Sequence, residues 1–279
     1  MERDHGMRRI KLVTVDANGT AVTPRNSSSE QLLLEAFQEI LGRKFRGRKI
    51  RKMLWSASRE SKLALAETVS DDVVNTDPYW VQINEESAAA IGITLTKDQA
   101  LQIHCLIDGE VDRFGLSLRR RRFLYWLCRI KFKGGRGVSV VILSNSLSHV
   151  VERLLVEHGV NSLFQRVYTP EVLLASKPAK KVVDEVCARS GVTPGEILHV
   201  GNSPVHDLRL VLWGVNVALI TTPGDAIDAK EEFAKLKERG LVPEGTLFYS
   251  SCELGKVKAW IDAHFVGASE QQDLFGKRK

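Results

Sequence analysis

Apolar positions fall in short blocks and in helical stripes, and the two patterns alternate along most of the chain. "IKLVTVD", residues 10–16, is a nearly continuous apolar run closing on Asp16, as expected of a strand buried on both faces. Gly19 and Thr20 turn the chain. "NSSSEQLLLEAFQEILGRKF" then has helical periodicity, with Ser28 and Gln31 placed as a capping box. From residue 22 to about 115 the pattern stays helical, with polar breaks near "VSDDVVNTDPYW" and "GITLTKDQ" and no convincing strand.

Strands and helices alternate after that point. Residues 117–132 read as a helix, "GGRG" as a turn and "VSVVILSN" as a second buried strand. "SLSHVVERLLVEHGV" is a helix closed by Gly159, and "FQRVYTP" a short strand. "KPAKKVVDEVCARSGV" is a helix opened by Lys177, with Pro178 in its first turn and Gly191 past its end. "EILHVGN" and "NVALIT" are strands, with the helix "VHDLRLVLWGV" between them. "GTLFYSS" and "CELGKVKAWIDAHF" supply the last strand and helix, and "GASEQQDLFGKRK" reads as a frayed tail. This order predicts an α/β fold: a Rossmann-like, doubly wound parallel sheet from residues 1–21 and 116–279. An α-helical cap, residues 22–115, is inserted after the first strand. It would sit over the C-terminal strand ends, where open α/β sheets bind ligands.

Those strand ends carry the candidate chemistry. Asp16 ends the first strand, Ser144 the second, and Asn202 with Asp207 a later one, while Lys177 opens the helix between the last two. The four stretches "VTVDANGT", "VVILSNS", "SKP" and "LHVGNSPVHD" resemble, in order and in context, the motifs of the haloacid dehalogenase (HAD) superfamily. The resemblance covers about residues 11–260. It implies that Asp16 is a nucleophile forming an acyl-type intermediate. Ser144 would donate to a transferring oxyanion, and Lys177 would neutralise charge beside the nucleophile. Backbone N–H groups around Gly19 and Thr20, with Asn145, would cradle an anion. In the family's phosphatases Mg²⁺ is held by the first Asp, the carbonyl two residues on and the acidic motif, here Asp16, Asn18, Asn202 and Asp207.

Two asparagines depart from the phosphatase pattern. Asn18 stands where the family's second Asp protonates the leaving group, and an amide does not titrate in a useful range. Asn202 replaces an acid of the metal site, so a divalent ion would bind weakly or not at all. The dehalogenase branch has a "DAYGT"-like first motif, an Asn in its last motif and no Mg²⁺. The sequence shows no clear counterpart of that branch's extra arginine and tyrosine, and the position expected for the tyrosine is Val183.

Charge adds a second possibility. Residues 43–52 hold seven basic residues and no acid, and residues 119–136 hold eight more. Without these 15, the chain has 25 basic residues against 34 acidic ones, so its net +6 is concentrated in two blocks. Arg43, Lys44, Arg46, Arg48, Lys49, Arg51 and Lys52, with Arg119, Arg120, Arg121 and Arg122, form the footprint expected for RNA or a ribonucleoprotein. Phe123, Tyr125, Trp126 and Phe132 interleave the second block and could stack on bases, though helical spacing puts several in the core. His149, His199 and His206 lack ligand spacing and read as ordinary surface or core residues.

Nothing in the sequence is apolar for long enough to span a membrane. Four dispersed cysteines argue against zinc or a disulfide framework. The opening "MERDHGMRRI" has no apolar region of a secretion signal and mixes acids with arginines. The expected location is therefore intracellular, in the cytoplasm or mitochondrial matrix. The functional expectation is a HAD-fold protein with little or no turnover, binding an anionic partner such as RNA. The alternative is a working hydrolase with Asp16 as nucleophile, using Mg²⁺ if it is a phosphatase and no cofactor otherwise, on a small anionic molecule.

Overall fold

The computed structural model describes residues 10–24, 29–45, 47–66, 77–109, 114–130 and 138–266. Ser28, Arg46, Lys131, Phe132, Lys133, Arg136 and the tail from 267 lie outside the described residues.

Six strands form one parallel sheet: β1 (Leu12–Val15), β4 (Ser139–Leu143), β5 (Val167–Tyr168), β6 (Ile197–Gly201), β7 (Asn216–Ile220) and β8 (Phe248–Ser251). Their order is β5-β4-β1-β6-β7-β8, so β1 is central and its end lies between those of β4 and β6. Because successive side chains point to opposite faces, each apolar run feeds two cores at once. Val13, Val15, Val140, Ile142, Leu198 and Val200 face one side. There they meet α5 (Leu118–Arg129), α6 (Ser148–Glu157) and α10 (Leu254–Phe265). Leu12, Val141, Leu143, Ile197, Val217 and Leu219 face the other, against α7 (Pro170–Leu173), α8 (Lys180–Ser190) and α9 (Pro223–Glu238). This two-sided burial is why the strands read as continuous apolar runs.

Four helices follow β1: α1 (Ser29–Ile40), α2 (Arg48–Ala66), α3 (Asp77–Ala89) and α4 (Lys97–Gly109). They close around their own core, which includes Leu33, Phe37, Leu54, Ala88 and Ile103. The chain leaves the sheet through β2 (Thr23–Pro24) and returns through β3 (Phe114–Gly115), which pair antiparallel. Two residues are too few to show alternation, so the pattern of apolar positions does not reveal this neck.

Other departures have similar causes. "LRLVLW" forms 3₁₀ turns over Leu208–Trp213 instead of an α-helix. Its first four residues are all buried, and Gly214 stops it at φ 83°. α8 starts at Lys180, with Ala179 as its N-cap, so Lys177 and Pro178 lie in the preceding loop. α9 is an additional helix. Thr222 caps it by accepting from the Asp225 N–H, and Pro223 occupies its first turn.

Candidate active site

The ends of β1, β4 and β6 converge with the loop before α8 on one buried ion cluster. Asp16 follows Val15 directly, Ser144 follows Leu143, and Asn202 follows Gly201. Lys177 reaches the same point from the α7–α8 loop and is almost fully buried. Its Nζ lies 2.8 Å from Asp16 Oδ1 and 2.6 Å from Asp207 Oδ1. One ammonium is thus shared by two carboxylates.

The two carboxylates differ in their remaining partners. Asp207 Oδ2 accepts from the backbone N–H of Asn202 and Ser203, each at 2.9 Å. Its Oδ1 also meets His199 Nε2 at 3.0 Å. Burial opposes ionisation of Asp207, but Lys177 and His199 outweigh it and hold its carboxyl well below the usual range. Burial dominates at Asp16 and pushes its carboxyl up to about 7, against the pull of Lys177. Burial also lowers the pKa of His199, keeping the ring neutral at pH 7. A carboxylate can only accept, so His199 Nε2 is the protonated nitrogen and Nδ1 accepts from the Thr14 hydroxyl at 2.8 Å. By spacing alone His199 is an ordinary residue. In the structure it joins β1 to Asp207 and helps fix that carboxylate.

Asn202 closes the remaining side of Asp16. Its outer amide atom faces only acceptors and on that ground is assigned as the NH₂ group. This nitrogen lies 3.1 Å from the Asn18 carbonyl oxygen, 3.2 Å from Asp16 Oδ2 and 3.3 Å from Thr20 Oγ1. The approach requires glycine at position 19, where φ is 85° and a Cβ would stand 2.7 Å from Asn202 Cγ. Asn18 turns its own side chain away, donating from Nδ2 to Ser146 Oγ at 2.8 Å. Ser144 Oγ, buried at the end of β4, accepts from the Ser146 N–H at 3.2 Å.

The chain matches the family model of the haloacid dehalogenase-like hydrolases over residues 10–210. It belongs to that family. A protein of Clostridium perfringens described as the pyrophosphatase PpaX is 31% identical over 75 residues, 27% of this chain. The match spans only 35% of that relative's length. Among solved structures, the magnesium-bound HAD-hydrolase YfnB of Bacillus subtilis superposes with a TM-score of 0.63 at 13% identity, covering 91% of this chain and 99% of its own. The L-2-haloacid dehalogenase of Xanthobacter autotrophicus gives 0.56 at 17% identity, covering 90% and 98%. At these identities the superpositions show the fold alone.

HAD phosphatases use Mg²⁺, and the residues at the corresponding place here do not fit it. The Asn18 carbonyl and Asp16 Oδ2 converge as such ligands would, but they converge on a donor, the Asn202 NH₂. A donor group fills the role of a cation there without adding a ligand oxygen. Asp207, the remaining acid, is engaged by Lys177, His199 and two backbone amides. Among the described residues, no group of three or more His, Cys, Asp and Glu could hold a metal.

Several residues take roles other than those their motifs imply. Asn145, expected to cradle an anion, instead holds the backbone of Lys177 with its side chain: Nδ2 donates to the Lys177 carbonyl at 2.9 Å and Oδ1 accepts from its N–H at 2.8 Å. Composition groups Arg120 and Arg121 with the polyanion-binding residues. The Arg120 guanidinium instead donates to the Thr20 carbonyl, beside the site. Arg121 donates to the His158 carbonyl at 2.8 Å. They tie helix α5 to the turn after β1 and to the end of α6. Arg51 lies near Gln31 and Glu30, whereas Arg43, Lys44, Arg48, Lys49, Lys52, Arg119 and Arg122 are exposed. Phe123 is buried and Trp126 half-buried, so they serve packing first. No described helix is long and apolar enough to cross a membrane.

Proposed function

We propose that the protein is a metal-independent hydrolase in which Asp16 is the nucleophile and the leaving group departs as a stable anion. The observation that carries this reading is the pair of contacts on Asp16: the Lys177 ammonium on one oxygen and the Asn202 amide on the other. Two buried carboxylates around one ammonium are costly to maintain, and such perturbed clusters gather where chemistry is done. A scaffold kept only for binding needs none of it, which favours catalysis over the RNA-binding expectation.

Asn18 cannot protonate a leaving group, so the substrate class is one that needs no proton there. A carbon–halogen bond meets that condition. Asp16 attacks the carbon, a C–O bond forms, and the halide leaves with the bonding pair. Water then attacks Cγ of the resulting ester; one of its protons passes through solvent to the departing alkoxide and the other is released. The alcohol departs and the carboxylate is restored. Lys177 and the Asn202 amide hold the carboxylate in line for both steps. The net products are alcohol, halide and one proton.

Single-turnover reaction with 2-chloropropionate in ¹⁸O-water, with EDTA present, tests this reading. Chloride release and ¹⁸O in the Asp16 peptide are the expected results. No release, or release that needs Mg²⁺, overturns it. The short match to a protein described as a pyrophosphatase favours a second reading, phosphoryl transfer to Asp16. Pyrophosphate hydrolysis that is lost with EDTA would establish that reading instead.

A further inference from the structure

The cap brings its own group of polar side chains to the same rim. Lys62, near the end of α2, holds its Nζ 5.6 Å from the ring centre of Trp55 and 5.1 Å from that of Trp80. Trp80, from α3, stacks on His104 of α4 with centroids 5.0 Å apart and planes 9° apart. Trp80 also lies 6.3 Å from the ring of His206, whose Nε2 meets the Tyr79 hydroxyl at 3.3 Å. His206 directly precedes Asp207. An aromatic wall therefore runs from Lys62 to the edge of the ion cluster, spanning cap and core.

Lys62 is half-buried, and among the described residues no carboxylate forms an ion pair with it. The acid acting on it is Asp225, which already pairs with Arg59 at 3.6 Å. Burial lowers the Lys62 pKa to about 8, so the group is still mostly charged at pH 7. Burial also pushes His104 and His206 down to about 4, so both rings are neutral at that pH. The wall thus presents one cation, partly stripped of water and backed by ring faces. Lys177, by contrast, is fully engaged by Asp16 and Asp207.

We propose that Lys62 is the anion-recognition residue of the substrate site, binding an oxyanion of the substrate while the Trp80–His206 wall packs against its body. This rests on the hydrolase reading, because it places the substrate between the cap and Asp16. The substrate class becomes a small molecule that carries both a leaving group and a carboxylate- or phosphate-type charge.

The test is calorimetric titration of the full chain at pH 7 with inorganic phosphate and with lactate. Wild type, Lys62→Met, Lys62→Arg and Asp16→Asn are compared. Lys62→Met should weaken binding by about tenfold or more, the scale of a lost charge-assisted hydrogen bond. Lys62→Arg should weaken it less, and Asp16→Asn should not weaken it. If neither anion binds the wild type, or if folded Lys62→Met binds within twofold of it, the proposal fails. If Lys62→Met does not fold, acetylation of Lys62 in the wild type replaces it: slowing by either anion supports the proposal, and an unchanged rate overturns it. Lys62-dependent binding without turnover of 2-chloropropionate would sink the hydrolase reading while leaving the subsite in place.

Discussion

Lys177 Nζ donates to Asp16 Oδ1 at 2.8 Å, joining two residues 161 positions apart in the chain. The same nitrogen holds Asp207 at 2.6 Å, so it is the only positive charge in direct contact with either carboxylate among the described residues. Lys177→Met would leave two buried acids facing each other. Breaking a buried ion pair from one side costs about 3–5 kcal/mol. The expected outcome is a loss of that size at pH 7, measured by urea unfolding, together with loss of turnover. A loss below about 1 kcal/mol would show that the cluster is not closed in solution.

Asp16→Asn should change stability in the opposite direction. The fold raises this carboxyl from 3.8 to about 7, so the native state holds the proton more tightly than the unfolded chain does. The stabilisation from that proton is present at low pH and is lost as pH rises between those values. Above pH 7 the wild type therefore carries the full cost of ionised Asp16, and Asp16→Asn removes it. The variant should unfold at a higher temperature than wild type at pH 8, with the difference shrinking toward pH 4. Calorimetry at the two pH values checks this.

In the proposed hydrolase, turnover depends on the same ionisation with a different sign of benefit. Only the carboxylate attacks, so the rate should rise with pH and level off once Asp16 is ionised. The Asn202 N–H on Oδ2 favours the charged form, which places the acid limb at or below about 7. Asn202→Ala should move the limb upward. A rate profile that is flat between pH 5 and 8 in both proteins would exclude Asp16 as the titrating nucleophile.

Three residues of the candidate site are legible in the sequence because each sits at the end of an apolar block, and such blocks survive as continuous runs. Asp16, Ser144 and Asn202 follow β1, β4 and β6 in this way. His199 is hidden by the same feature. It lies within a buried strand, where a polar residue carries no spacing signal, and its role depends on the register that sets Thr14 opposite it. Arg120 and Arg121 look like part of a charge block because sequence reports composition and not direction. Lys62, Trp80 and His104 come from three helices, and only cap packing brings them together.

Gly19→Ala should impair function more than folding. The left-handed backbone costs an L residue roughly 1–2 kcal/mol. The new methyl would also displace the Asn202 side chain, which lies within 2.7 Å of its position. Displacing a group that orients the nucleophile can cost about a hundredfold in rate. Steady-state kinetics beside thermal unfolding separates the two effects. Equal turnover in the variant would mean that Asn202 does not position Asp16.

The basic residues divide by what they touch. Arg120→Ala removes a charged donor from the Thr20 carbonyl and should cost about 1.5–3 kcal/mol of stability. Changing Arg43, Lys44, Arg48, Lys49 and Lys52 together to Gln should leave the unfolding temperature nearly unchanged, because all five are exposed. If the cap binds RNA, the same change lowers affinity and flattens its salt dependence by about 0.7 per lost phosphate contact. A salt-independent affinity in the wild type removes RNA from consideration.

Restoring the two acids should convert the site to one that binds a divalent cation. In Asn18→Asp, Asn202→Asp the Asn202 donor becomes an acceptor, and the space between Asp16 Oδ2 and the residue 18 carbonyl gains a carboxylate on its open side. Without metal the variant holds an additional buried negative charge beside Asp16, so it should be less stable than wild type in EDTA. Mg²⁺ prefers oxygen ligands of this kind, and binding to the folded state alone raises stability by an amount set by its concentration over its Kd, about 2.7 kcal/mol at a hundredfold excess. The expected result is an unfolding temperature that rises with Mg²⁺ in the double variant and stays constant in wild type. A magnesium-dependent rise in the wild type would instead mean that the Asn202 amide yields its place to the ion, and the metal-independent reading would fall.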